Sequence, residues 1–116
     1  MCGISGIYCP GSEQPIDQNA AERMLKVIHH RGPDDQGSYQ EDDLWIGFRR
    51  LSIIDLSTGQ QPMFNEDSSV VVVCNGEIYN YLDLRAELAA KGHIFRTASD
   101  VEVIVHLYEE HGEDFI

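Results

Sequence analysis

Cys2 stands directly behind the initiator Met, and a side chain that small permits Met removal. A chain that begins with Cys carries a thiol and a free α-amine on one residue. That amine titrates near ~7.7 to 8.0, where it can act as a general base, so nucleophile and base arrive together. On position alone a Cys at residue 2 is an accident of a small residue near a terminus. Its direct run into Gly3-Ile4-Ser5-Gly6-Ile7, a predicted buried strand, instead ties the terminus down. Asn75-Gly76 offers a side-chain amide and a backbone N–H that can aim at one point, two donors suited to a developing oxyanion. The same dipeptide is equally a type I′ hairpin turn, and nothing in it separates the two roles. Arg49 and Arg50 are neighbours on one predicted strand, so they leave on opposite faces and only one enters a given pocket. Period two groups Arg50 with Ser52 and Ile54, and Arg49 with Leu51 and Ile53. A planar guanidinium holds a carboxylate through two parallel hydrogen bonds, while a solvated surface position is the ordinary role for the other Arg. Asp100 follows Ser99 at a helix start, where a carboxylate meets the positive end of the helix dipole. Its alternative use is a salt bridge to a ligand ammonium, with Glu77 as companion. His29-His30, ahead of Arg31-Gly32-Pro33-Asp34-Asp35, read as satisfying helix-end carbonyls, and no metal site is assigned. Cys9 and Cys74 fall on predicted strands and read as small buried hydrophobes.

The elements that must position these residues follow from periodicity and punctuation. Residues 3 to 9 predict a short strand closed by Pro10-Gly11. From Asp17, a plausible N-cap, Ala21, Met24, Leu25 and Ile28 recur at helical spacing until Gly32-Pro33. Strands are expected over Gln36 to Gln40, Leu44 to Arg50, Leu51 to Leu56 and Val70 to Cys74, with turns at Asp42-Asp43 and Asn65 to Ser68. A helix follows from about Asn80 to Lys91, with Gly92 at C′. A second opens on Ser99-x-x-Glu102, a capping-box spacing, and carries Val101, Ile104, Val105 and Tyr108 as its apolar stripe before Gly112. Short strands mixed with amphipathic helices point to an α+β fold in one domain.

With 8 basic against 20 acidic side chains, the formal charge is −12. That disfavours a nucleic-acid binder, which needs clustered cations to release counterions, and an anionic membrane surface as partner. The longest apolar run, Val70 to Cys74, falls far short of the ~18 residues of a membrane-spanning helix. There is no secretory-signal pattern, and three Cys at unrelated spacings suit neither a disulfide framework nor a zinc site, so a cytoplasmic location is expected.

Five ordered segments carry a resemblance. Met-Cys-Gly-Ile-Ser-Gly-Ile at 1 to 7, His-Arg-Gly-Pro-Asp-Asp at 30 to 35, Arg-Leu-Ser-Ile-Ile-Asp at 50 to 55, Asn-Gly-Glu-Ile-Tyr-Asn at 75 to 80 and Ser-Asp-Val-Glu-Val-Ile at 99 to 104 span nearly the whole chain. Together they resemble the glutaminase domain of glutamine-hydrolysing asparagine synthetases, among the class II glutamine amidotransferases. The resemblance implies an N-terminal-nucleophile hydrolase fold, a four-layer αββα sandwich incomplete at its C-terminus, with residues 1 to 116 forming the type 2 amidotransferase domain and the ATP-binding synthetase domain absent. It implies that Cys2 attacks the glutamine side-chain amide, that Asn75 and Gly76 form the oxyanion hole, and that Arg50 holds the substrate α-carboxylate. Asp100 with Glu77 would hold the α-ammonium, and backbone near Ile53 would line the pocket. No cofactor is implied in this domain; ATP and magnesium belong to the synthetase domain, since neither a Ser-Gly-Gly-x-Asp-Ser loop nor a Gly-x-x-x-x-Gly-Lys occurs here. The implied partners are glutamine and that synthetase domain, and a homo-oligomeric copy could supply missing strands. Competing expectations are a non-catalytic glutamine-binding or structural fragment, the glutaminase half of an amidotransferase with another acceptor, and an unrelated thiol or metal-dependent hydrolase.

Overall fold

A computed structural model describes residues 1–52 and 59–116. Its main sheet has three antiparallel strands in the order β1-β3-β2. Gly3–Tyr8 (β1) and Asp35–Glu41 (β2) flank the central Leu44–Arg50 (β3), with Gly3 opposite Arg49 and Asp35 opposite Arg50. The β2–β3 connection turns through Asp42 at φ 35°, a left-handed conformation that Asp tolerates.

Alternation along β3 sends Trp45 to one face and Phe48 to the other, both almost fully buried. On the Trp45 face lies helix α1, Gln18–Val27, whose Ala21 and Leu25 pack with Ile16 and Trp45 while Ile7 and Ile28 close the edges. As expected, Asp17 caps α1, its Oδ1 accepting from the N–H groups of Asn19 (2.9 Å) and Ala20 (3.2 Å). A 3₁₀ turn, Ile28–Arg31, continues it. Gly47 allows the close seating, because a Cβ there would meet Leu25 Cδ2 at 2.9 Å and the Trp45 ring.

A second, two-stranded sheet pairs Met63–Phe64 (β4) with Val71–Val72 (β5), and the Phe64 ring meets Tyr39 of β2 edge-on at 5.5 Å. Helices Tyr81–Ala90 (α2) and Val103–His111 (α3) follow, and α2 ends at Gly92 with φ 107°, as a C′ glycine should. The α+β class is what the sequence predicts, and the structure adds that both sheets are antiparallel. No described helix is long and apolar enough to cross a membrane.

Several local expectations are corrected. The apolar run Val70 to Cys74 forms ladder bonds only at Val71–Val72, against a β4 partner that no periodicity announced. Leu51 and Ser52 are not strand, and the rest of the strand expected to Leu56 lies outside the described residues. The capping box does not form. Glu102, 2% exposed, turns its carboxylate back to the N–H groups of Arg96 (2.7 Å) and Thr97 (2.8 Å) and to the Thr97 hydroxyl (2.5 Å). The buried positions are Val101 ahead of α3 and Val103, Val105 and His106 within it, while Tyr108 is exposed beside Phe115.

Candidate active site

The N-terminus reaches its position because β1 is zipped to β3. Gly3 opposite Arg49 sets Cys2 alongside the end of β3, where Cys2 Sγ accepts from the Leu51 N–H (3.3 Å) and lies 3.8 Å from the Leu51 carbonyl. The Arg31 guanidinium donates to the Cys2 carbonyl (3.4 Å). A surface cavity of about 290 Å³ opens here, lined by Cys2, Ile4, Ile28, His30, Arg31 and Asn75. A thiol and a side-chain amide from distant parts of the sequence thus share one concavity.

The His-Arg-Gly-Pro-Asp run at 30 to 34 is the brace for this corner. Gly32 lies flat on β3, and a Cβ would fall 2.5 Å from Arg49 C and O and 2.6 Å from Arg50 C. Its φ of −153° is ordinary, so close approach alone requires glycine. Asp34 then accepts from the Ser52 N–H (2.7 Å) and donates its own N–H to the Arg50 carbonyl (3.1 Å). His30 Nδ1 lies 3.1 Å from the Val27 carbonyl, the helix-end role foreseen for it.

Arg49 and Arg50 part as the pleat requires. Arg49 Nε donates to the Leu25 carbonyl of α1 (3.1 Å), and Arg50, 7% exposed, faces away from that helix and is engaged within the fold. Arg31 lines the Cys2 cavity, whereas Arg49 and Arg50 are not among its lining residues.

Asn75 and Gly76 are exposed, and neither has the positive φ that a type I′ turn demands. The hairpin alternative is thereby excluded. Two side chains shape the segment instead. Gln61 grips Cys74 like a neighbouring strand, accepting from its N–H (2.6 Å) and donating to its carbonyl (3.1 Å). Asp100 Oδ2 accepts from the Ile78 N–H (2.7 Å), tying the start of α3 to residues 75–79. Burial pushes the Cys74 thiol above its ordinary pKa, with the Asp100 charge and Cys2 adding to it, so these three groups are electrostatic neighbours. Cys74 is half-buried rather than fully enclosed, as is Cys9. Glu77 is exposed on the same segment, and Ile53 lies outside the described residues.

Sequence reasoning passed over the positioning roles of Arg31, Asp34 and Gln61. The first two lie in a segment quoted only for its resemblance, and Gln61 carries no local signal. A larger surface cavity, about 380 Å³, opens at the far end of β1 beside Glu13, Asp42 and Asp43 and gathers none of these residues. The shared concavity at Cys2 is the better candidate because a thiol, an amide donor and the Arg31 side chain meet there.

All 116 residues match the model of a glutamine amidotransferase domain, so the chain belongs to that family. It is similar over its whole length to the asparagine synthetase [glutamine-hydrolyzing] 2 of Bacillus subtilis (49% identical), the corresponding synthetase 1 of Arabidopsis thaliana (46%) and the synthetase of Asparagus officinalis (46%). The chain spans 16%, 20% and 19% of those proteins' lengths, respectively.

Proposed function

We propose that this chain hydrolyses the side-chain amide of glutamine to glutamate and ammonia, and that the ammonia serves ATP-dependent conversion of aspartate to asparagine by a synthetase domain of the full-length protein. The seating of Cys2 on the Leu51 N–H, in one cavity with Asn75, carries the reading. Residues 1 to 116 act as the type 2 amidotransferase domain, within a four-layer αββα sandwich of the N-terminal-nucleophile kind. ATP and magnesium are assigned to the synthetase domain, and the hydrolytic step uses side chains of this chain alone.

Met1 is 72% exposed and open to removal, which frees the Cys2 α-amine. That amine takes the thiol proton as Sγ attacks the amide carbon. The oxyanion that forms is held by the Asn75 amide and the Gly76 N–H. Proton return to the leaving nitrogen expels ammonia and leaves a γ-glutamyl thioester, and water then adds to release glutamate and the thiol. Arg50 holds the substrate carboxylate. Asp100 with Glu77 holds the ammonium, since a carboxylate has about four acceptor sites and Ile78 occupies one. Gripping both charges of the α-carbon end fixes the amide for attack, the entropic gain of orientation.

The test is glutamate release by the full-length protein. Cys2→Ala is expected to abolish it while glutamine still binds. Glutamate production by Cys2→Ala at the wild-type rate would overturn the proposal, and binding without turnover in the processed wild type would favour a non-catalytic domain.

A further inference from the structure

We propose that Glu66, His93, His106 and Glu109 form a binding site for one zinc-class divalent cation, away from the Cys2 cavity and sharing no residue with it. The four come from three places in the fold. Glu66 lies in the β4–β5 connection, His93 just beyond α2, and His106 and Glu109 one turn apart on α3. One donor atom from each lies within 4.8 Å of all the others.

The separations leave room for a cation among the four. His106 Nδ1 is 3.2 Å from Glu109 Oε2 and 3.4 Å from Glu66 Oε2. His93 Nδ1 is 3.5 Å from Glu109 Oε2 and 3.4 Å from Glu66 Oε1. A charge-assisted N–H to carboxylate bond closes to about 2.7–2.9 Å. A tetrahedral site with metal–ligand bonds of about 2.0–2.1 Å has ligand–ligand edges of about 3.3–3.4 Å. Whichever Glu66 oxygen serves as the ligand, three of these separations are edges of one donor set, and they lie near that value.

Proton placement agrees. His93 Nε2 lies 3.0 Å from Oε1 of Glu110, whose Oε2 is held by Lys91 at 3.1 Å, so the ring proton belongs there and the Nδ1 lone pair turns to the cluster. His106 is completely buried, and its Nε2 has no hydrogen-bond partner; the buried Glu102 carboxylate is 4.0 Å away. A proton on Nδ1 would strand the Nε2 lone pair against that anion. A proton on Nε2 faces the anion instead, and then Nδ1 presents its lone pair to two carboxylate oxygens. A cation between them satisfies that arrangement.

The carboxylates are held as ligands are. Glu109 Oε1 accepts from Asn65 Nδ2 (2.8 Å), and Glu66 Oε1 accepts from the Ile94 N–H (2.7 Å). The Phe95 ring, 4.5 Å from His106, closes the apolar side. Two imidazole nitrogens with two carboxylate oxygens suit zinc better than magnesium or calcium, which take six or more oxygens. A bound ion would clip the β4–β5 connection and the end of α2 to α3.

The full-length protein, stripped with a chelator, is titrated with Zn²⁺ against a chromophoric competitor and separately with Co²⁺. The expected result is one zinc per chain beyond any held by the His93→Gln/Glu109→Gln double variant, together with tetrahedral cobalt absorption. Glu110→Gln should weaken zinc by about 10–100-fold, as loss of an outer-shell carboxylate does. Equal zinc content in wild type and double variant would overturn the site. Absent or octahedral cobalt absorption in the wild type would do so without reference to any variant's folding.

Discussion

Gly32→Ala probes the brace that carries Cys2. A Cβ at Gly32 would stand 2.5 Å from Arg49 C and O, and ordinary van der Waals contact begins near 3.4 Å, so the segment must move off β3 by about 0.9 Å. Arg31 and Asp34 flank Gly32 and move with it, loosening the bond to the Cys2 carbonyl and the bonds to Ser52 and Arg50. Overpacking of this kind costs about 1–3 kcal/mol of stability. Misplacement of a reacting group by about 1 Å costs about 10²-fold in rate. The assay is kcat/KM for glutamine hydrolysis by the full-length protein, beside urea unfolding. Gly6→Ala on β1 is the comparison, since its Cβ meets nothing nearer than 3.4 Å and should leave both quantities close to wild type. Gly32→Ala with wild-type stability and turnover would show that the 30–34 run does not position the site.

Gln61→Ala leaves the Cys74 N–H and carbonyl without their side-chain partner, so stability should fall by about 1–3 kcal/mol and glutamine turnover should drop with it; an unchanged unfolding midpoint would refute that grip. Because burial, Asp100 and Cys2 all raise the Cys74 thiol, its thiolate fraction at neutral pH lies below that of an ordinary cysteine. Iodoacetamide labelling followed by peptide mass mapping should therefore show Cys74 reacting slowly at pH 7 and speeding up only at alkaline pH, and fast labelling at neutral pH would contradict the stated environment.

Much of the scaffold was legible because local and tertiary signals agree. Helix α1 combines a helical apolar period with an Asp17 cap that forms as expected, and the apolar run of β3 is buried on both faces, Trp45 on one and Phe48 on the other. The misses come where tertiary partners override local pattern. Glu102 satisfies the 96–97 loop instead of a capping box, and the strand at 70–74 is paired only as far as β4 reaches. The meeting of Cys2 with Asn75 could be expected from resemblance alone, because no spacing rule joins a terminus to a loop so far away in sequence. The same holds for Glu66, His93 and His106, whose separations match no metal motif, whereas in the adjacent His29-His30 pair it is His30 that serves a helix end.

The proposed function stands on Cys2 as the nucleophile toward glutamine. Intact-mass analysis and peptide mapping after exposure of the full-length protein to a glutamine-like electrophile test it most directly. One adduct on Cys2 of a chain lacking Met1, suppressed by excess glutamine, is the expected result. An unmodified chain that retains Met1, or an adduct carried by Cys9 or Cys74, would contradict it.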